Sequence, residues 1–324
     1  MKILLVNHGS IPVFAYGGTE RVIWDLGRCL AGLGHTVRYL VPAGSHCDFA
    51  EVIALLPGAD WRSQVPPDTD VVHLQFQPDA PLDLPHVVTE HGNPRPGVPL
   101  LRNTVFVSAD QAARHGSAAF VRNGLDWSAY GPVAIDRPRG DFHFLGKAAW
   151  RVKNVQGAID VALDAGVRLD VLGGTRLNLK RGLRFTWSPR IRFHGMVGGQ
   201  EKFGVLNASR GLVLPVLWHE PFGLAVIESL YFGCPVFATP YGALPELVPP
   251  DCGVLSNSRA ALAEAVRSRR FDPRACHQHA VQHFSAQAMA RGYLAQYERV
   301  RAGETLNPVA PVLAEEARKL PWLA

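Results

Sequence analysis

Two carboxylates in one stretch of the chain are the first candidates for chemistry. Residues 214–246, LPVLWHEPFGLAVIESLYFGCPVFATPYGALPE, place Glu220 and Glu228 eight residues apart, on either side of the predicted start of a helix. A helix start carries free backbone N–H groups that favour phosphate or sugar oxygens, and a carboxylate accepts hydrogen bonds from sugar hydroxyls. The pattern therefore predicts a site for a negatively charged, hydroxyl-rich ligand such as a sugar nucleotide.

The start of this predicted helix is formed by Phe222, Gly223 and Leu224. Gly223 has no Cβ, so the backbone can come close to a ligand there. Glu220 precedes the helix and is expected to contact sugar hydroxyls, whereas Glu228, about two turns in, is expected to chelate the cis-diol of a ribose. Each carboxylate alone also has a structural interpretation, Glu228 as an ordinary helix-face residue and Glu220 as a partner of the helix dipole.

Two lysines form a second group of candidates. Lys147 comes directly after a predicted strand, and Lys153 with Asn154 opens the next predicted helix. Two ammonium groups and a helix N-terminus on one loop make a diphosphate site, which would also stabilise a departing nucleotide diphosphate. Taken alone, Lys147, Arg151 and Lys153 are equally well explained as solvated surface residues. The nearby carboxylate pair favours the diphosphate interpretation.

The first half of the chain offers weaker candidates. Gly17 and Gly18 open a predicted helix, but the loop is not GxGxxG and no acidic residue ends the second strand, which disfavours a dehydrogenase. His91 closes a predicted strand at its carboxyl end, where loops line ligand sites, and is a candidate for the reaction centre. His143 is interpreted as a surface or capping residue. The Asp-Thr-Asp of residues 68–70 is interpreted as a turn at strand entry, and no metal site is expected.

Composition limits the class of protein. The 324 residues, 47% of them hydrophobic, are enough for about two domains with real cores. No apolar run approaches the roughly 20 residues that span a bilayer, and the apolar run at residues 3–6 is predicted as a buried strand rather than a signal peptide. Five cysteines without a CxxC favour a reducing cytoplasm. The net charge of +5 suits an anionic ligand or membrane surface, and nucleic acid is not expected as a partner because no recognition motif occurs.

Short apolar runs alternate with longer amphipathic segments throughout the chain, which is typical of βαβ units and parallel sheets. The periodicity disappears over residues 126–139, where Pro132 and Pro138 occur, and this predicts a domain boundary. We therefore predict an α/β protein with two Rossmann-like, doubly wound domains facing across a cleft. The predicted domains are residues 1–135 and 136–300, followed by a tail, residues 301–324, that could pack back on the first domain.

A basic segment lies in the second half of the chain. Seven Lys and Arg residues occur within residues 168–192. Two interpretations stay open for them: a solvated face, or docking to an anionic lipid headgroup or polymer. Trp187 is compatible with docking, so peripheral contact with the inner face of a membrane is one expectation for this protein.

Several motifs together resemble the retaining glycosyltransferases of family 4, which have the GT-B fold. The matching motifs, in chain order, are GGTERV at residues 17–22, TEHG at 89–92, RNGLD at 122–126, GK…KN at 146–154, EPFGLAVIE at 220–228, GCPVFAT at 233–239 and GALPELV at 242–248. They cover most of residues 1–300. The carboxylate pair with seven residues between its members is the most specific of them.

The resemblance implies that a hexose-type group moves from a UDP- or GDP-sugar to an acceptor hydroxyl with retention, usually without a metal or other cofactor. The acceptor would be a sugar, a polysaccharide or a lipid-linked glycan. Two alternatives on the same fold remain, a sugar-nucleotide epimerase or phosphorylase and a non-catalytic protein that binds nucleotide sugars. The absence of a recognisable pyridoxal-phosphate lysine motif weighs against the phosphorylase.

The resemblance also implies individual roles. Lys147 and Lys153 would hold the diphosphate, Glu220 the donor sugar and Glu228 the ribose, while His91 would lie beside the donor sugar. Two glycines would approach the phosphates from the other domain: Gly17 and Gly18. The chain departs from the family pattern because Lys replaces the usual Arg at 147, with one extra residue before Lys153, and bidentate phosphate contact is lost there. The predicted first domain is also shorter than usual.

Overall fold

The computed structural model of the chain describes residues 1–12, 18–80, 82–178, 184–314 and 320–323. The chain forms two compact units. The first unit comprises Met1–Trp127 with Phe284–Glu316, and the second comprises Ser128–His283 with Ala317–Ala324. Among the described residues, no helix is long and apolar enough to cross a membrane.

The first unit is built on a parallel sheet with the strand order β3-β2-β1-β4-β5-β6. Its strands and first helices are β1 (Lys2–Val6), α1 (Gly18–Gly32), β2 (Thr36–Pro42), β3 (Glu51–Leu55), β4 (Val71–Leu74), β5 (His86–Glu90), β6 (Thr104–Phe106) and α2 (Ala109–Arg114). Apolar strand residues such as Leu4, Leu40, Val72 and Val88 form its core. The strand order reverses between β1 and β4, which is the switch point of a doubly wound sheet.

The second unit repeats this topology with the strand order β11-β8-β7-β12-β13-β14, so its switch point lies between β7 and β12. Its strands are β7 (Phe142–Leu145), β8 (Leu169–Leu172), the hairpin strands β9 (Leu177–Asn178) and β10 (Arg184–Phe185), β11 (Ile191–Gly195), β12 (Leu212–Leu214), β13 (Val236–Ala238) and β14 (Gly253–Leu255). Its helices are α3 (Val155–Asp164), α4 (Gly199–Ala208), α5 (Leu224–Tyr231), α6 (Leu244–Leu247), α7 (Arg259–Ser268) and α8 (Pro273–His283).

A last helix, α9 (Ala286–Arg301), belongs to the first unit and packs against α1 and β5. A buried hydrogen-bond chain holds it there: His73 bonds Tyr297 Oη at 2.7 Å and Thr89 Oγ1 at 2.7 Å, and Thr89 bonds Tyr293 Oη at 2.8 Å. This differs from the predicted boundaries, which placed residues 286–300 in the second domain. Helical periodicity shows that a segment has an apolar face but does not show which sheet that face covers.

The structure confirms the two predicted doubly wound sheets. The apolar runs at residues 71–74, 142–145, 169–172 and 236–238 each predict a strand, and β4, β7, β8 and β13 have these bounds. The apolar run at residues 119–121 also predicts a strand, but the structure has only an isolated bridge there, between Phe120 and Phe106. Helix α8 and strand β14 were not predicted, because the short, His-rich and Gly-containing segments that form them show weak periodicity. The sequence also predicts a short helix at residues 313–320, most of which lies outside the described residues.

Candidate active site

The predicted lysines and Glu220 follow strands that lie side by side in the second sheet. Lys147 comes two residues after the end of β7, and Glu220 comes six residues after the end of β12. The two strands pair in parallel, with Leu212 opposite His143. Parallel neighbours bring their carboxyl ends to the same edge of a sheet, so both loops meet at the switch point, where doubly wound folds bind ligands.

The loop that carries Lys153 is fixed by the cap of α3. Arg151–Lys153 forms a short 3₁₀ turn, and Asn154 follows in the left-handed conformation with φ 51°. The Asn154 side chain accepts a hydrogen bond from the N–H of Gly157 at 3.1 Å, which caps the helix, and donates to the carbonyl oxygen of Pro215 at 2.9 Å. The second bond ties the loop after β7 to the end of β12, and it places Lys153 at the helix start as predicted.

Lys153 and Glu220 form an ion pair at this edge of the sheet. Lys153 Nζ lies 2.8 Å from Glu220 Oε1 and 2.7 Å from Oε2, and only 16% of the lysine side chain and 7% of the glutamate side chain are exposed. The indole N–H of Trp218 donates to Glu220 Oε2 at 2.8 Å. The ion pair therefore joins Lys153, the residue predicted to bind phosphate, to Glu220, the residue predicted to bind the sugar. Trp218 orients the Glu220 carboxylate.

Two indole rings lie beside the lysines, and neither was identified from the sequence. Lys147 Nζ lies 5.3 Å from the centre of the Trp150 ring, and Lys153 Nζ lies 5.1 Å from the centre of the Trp218 ring. The two rings meet edge to face at 6.3 Å. Cations over indole faces are favourable, and apolar walls strengthen the field of the charges beside them. Their positions in the sequence could have identified them, because Trp218 lies two residues before Glu220 and Trp150 lies three residues before Lys153.

The start of α5 lies directly after Glu220. Gly223 is its N-cap with φ 110°, a conformation that disfavours residues with a Cβ, while Phe222 is buried and Leu224 begins the helix. Glu220 also forms a parallel bridge with Gly242, where an added Cβ would come within 2.3 Å of the Glu220 backbone. The Gly-rich turn after β13 thus holds the backbone on which the carboxylate is mounted.

Glu228 has partners of its own. It is 4% exposed within α5, and its Oε1 accepts hydrogen bonds from Lys202 Nζ at 2.5 Å and from Tyr130 Oη at 2.7 Å. Lys202 on α4 is also 4% exposed. A buried carboxylate requires such partners, and neither was recognised from sequence, because 26 and 98 residues separate them from Glu228 along the chain. Glu228 therefore has a structural role, because it connects α5 to Lys202 and Tyr130.

The candidates of the first unit lie at or near the carboxyl ends of its strands. His91 directly follows β5, and its Nε2 bonds Gln75 Oε1, just after β4, at 2.7 Å. Burial lowers the pKa of His91 to about 4, so the imidazole is neutral at pH 7 and can offer hydrogen bonds but no charge. Gly18 is the first residue of α1. Gly17 lies outside the described residues.

The acidic residues of the Asp-Thr-Asp segment are engaged within the first unit. Asp68 binds Lys2 Nζ at 2.9 Å and Arg38 Nη1 at 2.6 Å, and Asp70 accepts from the backbone N–H of Lys2 at 2.7 Å, directly before β4. The segment is therefore a turn at strand entry, as predicted. Within the described parts of the chain, no three His, Cys, Asp or Glu residues are grouped so as to hold a metal ion.

The interpretation of His143 as a surface or capping residue is wrong. His143 lies in β7 and is fully buried, with Nδ1 2.6 Å from Ser209 Oγ and Nε2 2.8 Å from Ser229 Oγ. Burial lowers its pKa to about 3. The two hydroxyls satisfy both ring nitrogens, and this pairing depends on residues 66 and 86 positions away in sequence.

Comparisons with known proteins point to one family. Residues 139–269, all in the second unit, match the family described as Glycosyl transferases group 1. Over 114 residues the chain is 35% identical to a GDP-mannose-dependent alpha-(1-6)-phosphatidylinositol dimannoside mannosyltransferase of Mycobacterium tuberculosis (strain ATCC 25177 / H37Ra). Over 205 residues it is 29% identical to a glycogen synthase of Mycobacterium tuberculosis (strain CDC 1551 / Oshkosh).

These alignments are partial. The mannosyltransferase alignment takes in 34% of this chain and 30% of the relative, and the glycogen synthase alignment 57% and 49%. The fold is shared over a longer span with AviGT4, a glycosyltransferase involved in avilamycin A biosynthesis, with a TM-score of 0.75, 23% identity and coverage of 93% of this chain and 98% of that one. The comparison confirms the predicted fold class.

Proposed function

Because residues 139–269 match the glycosyl transferases group 1 family, we propose that this chain is a retaining glycosyltransferase. It moves a hexose-type sugar from a UDP- or GDP-sugar to an acceptor hydroxyl in the synthesis of a glycan, a polysaccharide or a glycolipid. The observation that carries the proposal is the Lys153–Glu220 ion pair at the switch point of the second sheet. In this proposal the Lys153 ammonium binds the leaving diphosphate, and the adjacent Glu220 carboxylate binds the donor sugar.

The proposed reaction needs charge stabilisation more than acid–base chemistry. As the bond between the anomeric carbon and the diphosphate breaks, negative charge develops on the leaving oxygen, and Lys147 and Lys153 stabilise it. The start of α5 at Gly223 and Leu224 adds the positive end of a helix dipole. With retention, the leaving phosphate itself takes the proton of the acceptor hydroxyl on the same face of the sugar.

The carboxylates hold the donor in this proposal. Glu220 accepts hydrogen bonds from donor-sugar hydroxyls, and it is already oriented by Trp218. Glu228 accepts from the ribose hydroxyls in addition to Lys202 and Tyr130. The role of His91 beside the donor sugar, like that of Gly17 and Gly18 near the phosphates, is proposed from the family resemblance. No metal or other cofactor is included in the proposed mechanism.

A nucleotide-release assay with UDP- and GDP-sugars tests the proposal, using simple sugars, polysaccharides and lipid-linked sugars as acceptors. Release of the nucleoside diphosphate with an α-linked product from an α-linked donor, identified by NMR, would support a retaining transferase. Interconversion of the donor sugar without release would indicate an epimerase instead. Donor binding without any turnover would indicate a non-catalytic binding protein.

We further propose that this enzyme works in the cytoplasm and contacts an anionic membrane through the β9–β10 hairpin. Leu177, Phe185 and Trp187 are 49%, 45% and 85% exposed. The centres of the Phe185 and Trp187 rings lie 4.4 Å apart. Exposed Arg190 and Arg192 follow them in sequence. Aromatic side chains beside arginines suit the boundary between headgroups and acyl chains.

Co-sedimentation with lipid vesicles tests this contact. The wild type should bind vesicles that contain phosphatidylglycerol more than vesicles of phosphatidylcholine alone, and the Trp187→Ala/Phe185→Ala variant should lose that preference. The Val309→Ala/Leu56→Ala variant, with two exposed apolar residues changed in the first unit, is the matched control. Equal binding by all three proteins would refute the role of the hairpin.

A further inference from the structure

A cavity of about 210 Å³ lies at the opposite edge of the second sheet from the candidate active site. Three of its lining residues mark the amino ends of neighbouring strands: Phe142 begins β7, Arg210 stands two residues before β12, and Pro235 directly precedes β13. Lys147 and Glu220 follow the carboxyl ends of β7 and β12. Three or four strand residues, about 10–13 Å, therefore separate the two edges.

The lining of this cavity is strongly basic. Four of its ten lining residues are arginines, Arg139, Arg210, Arg269 and Arg270, and none is Asp or Glu. Burial and the neighbouring charge of Arg270 lower the pKa of Arg210, so the positive charges disfavour one another. A bound anion would relieve this repulsion and supply the acceptor that a guanidinium group prefers.

The Arg139 guanidinium is held in place by two backbone carbonyl groups and has one N–H group that is not hydrogen-bonded in the described parts of the chain. Arg139 donates from Nη1 to the carbonyl oxygen of Ser209 at 2.9 Å and from Nη2 to that of Phe232 at 2.7 Å. Its Nε–H is buried and has no hydrogen-bond partner in the described parts of the chain. Buried donors without partners are uncommon in folded proteins.

Three aromatic rings, Phe142, Phe237 and Phe271, also line the cavity. Phe237 contacts Phe142 at 5.8 Å and Phe271 at 5.9 Å between ring centres, both edge to face. The Arg210 guanidinium lies 5.1 Å from the centre of the Phe142 ring. Apolar faces next to unpaired positive charge suit a ligand that combines an anionic group with a ring.

Two acidic residues near the cavity, Asp272 and Asp136, have other partners. Asp272 accepts from the backbone N–H of Arg274 at 2.9 Å at the start of α8, and Asp136 binds the Arg274 side chain. The cavity is also lined by Pro273, the first residue of α8, whose eleven residues direct the positive end of their dipole toward this edge. Among the described residues, no carboxylate forms an ion pair with the four arginines of the lining.

We propose that this arginine cavity, lined by Arg139, Arg210, Arg269 and Arg270, is a second anion site that binds a small phosphate-bearing molecule with a ring. The phosphate contacts the guanidinium groups, and the ring packs on Phe271, the partly exposed ring of the lining. The site differs from the proposed donor site in location and residues, so it does not depend on the proposed function.

Isothermal titration calorimetry with two probes tests the proposal. Inorganic phosphate tests the charged part of the cavity, and phenyl phosphate tests the charged and aromatic parts together. Both should bind the wild type, with phenyl phosphate the tighter. The Arg269→Ala/Arg270→Ala variant should bind both at least about tenfold more weakly, because two charge-assisted contacts are lost. The two residues are exposed, so the fold should survive, and circular dichroism checks this.

Two further variants separate this site from the others. Arg299→Ala/Arg301→Ala removes the same charge from an exposed part of the first unit and should bind like the wild type. Lys153→Ala alters the proposed donor site and should also keep the binding. Loss of binding in Lys153→Ala would place the probes in the donor site and overturn the proposal. Unchanged binding in Arg269→Ala/Arg270→Ala would overturn it as well, as would phenyl phosphate binding no tighter than phosphate.

Discussion

Lys153 Nζ lies within 2.8 Å of both carboxylate oxygens of Glu220, in a site where both side chains are mostly buried. The Lys153 ammonium and the Glu220 carboxylate are thus paired with each other in the structure without a ligand. In the proposed function the donor brings a diphosphate for the lysine and hydroxyl groups for the glutamate. The ion pair then holds both groups close to the same donor bond.

Replacement of Lys153 by alanine should reduce both activity and stability. Turnover should fall about a hundredfold or more, because one stabilising charge on the leaving diphosphate is lost. The free energy of unfolding should fall by about 3 kcal/mol, because Glu220 remains buried without its cation. Nucleotide-release kinetics and urea unfolding measure the two effects.

The matched control is Lys147→Ala. It removes a cation–π contact with Trp150, so it should cost only about 1 kcal/mol of stability while also slowing turnover. If Lys153→Ala turned over donor at the wild-type rate, the phosphate role of Lys153 would be excluded.

The Trp218→Phe variant tests how Glu220 is positioned. It keeps an aromatic ring under Lys153 but removes the indole N–H that bonds Glu220 Oε2. A hydrogen bond to a charged group contributes about 1.5–3 kcal/mol, so stability should fall by that amount. Activity should fall about tenfold through kcat/KM. Trp150→Phe changes the other indole ring, which lies under Lys147, and serves as the comparison; equal losses in both variants would argue against the positioning role.

The Glu228–Lys202 pair should behave as a coupled unit. Glu228→Gln or Lys202→Met alone should each destabilise the protein by about 3–5 kcal/mol, because each leaves a buried charge without its counterion. The double variant should lose less than the sum of the two. A double-mutant cycle measured by urea unfolding gives the coupling energy, and Tyr130→Phe measures the contribution of the phenol separately. Simple additivity would contradict the contact.

Stability should depend on pH through His143. Its pKa is about 3 in the folded protein against 6.5 for an unperturbed histidine, so above pH 6.5 both the folded and the unfolded state are neutral and the residue has no effect. Below pH 6.5 the unfolded chain gains a proton that the folded chain does not, and the stability falls by about 1.4 kcal/mol per pH unit down to about pH 3.

Urea unfolding at pH 7.5, 6.0 and 5.0 checks this slope. The His143→Gln variant keeps a polar side chain that can bond Ser209 and Ser229 but cannot titrate. Its stability should fall less steeply on acidification, by about 1.4 kcal/mol per pH unit relative to the wild type. Parallel curves for the two proteins would contradict the burial of a neutral His143.

In the candidate site, the features that could be predicted from the sequence are those that depend on residues close together along the chain. Lys153 at the start of α3 and Gly223 at the start of α5 follow from Gly, Asn and strand signals within a few residues. By contrast, Lys202 and Tyr130 could not be found as partners of Glu228, and the ion pair of Lys153 with Glu220 joins residues 67 positions apart. Long-range pairs need the strand order, which periodicity does not contain.

By itself, the sequence determined the alternation of strands and helices, the α/β class, the motif set and the presence of Glu220 and Glu228 near a helix start. These depend on hydrophobic period and turn residues, which act over a few positions. Only the tertiary structure decided that α9 covers the first sheet, that His143 is buried, and that four arginines meet at the amino edge of the second sheet. Those arrangements arise when distant segments pack, and packing is set by the whole fold rather than by any one segment.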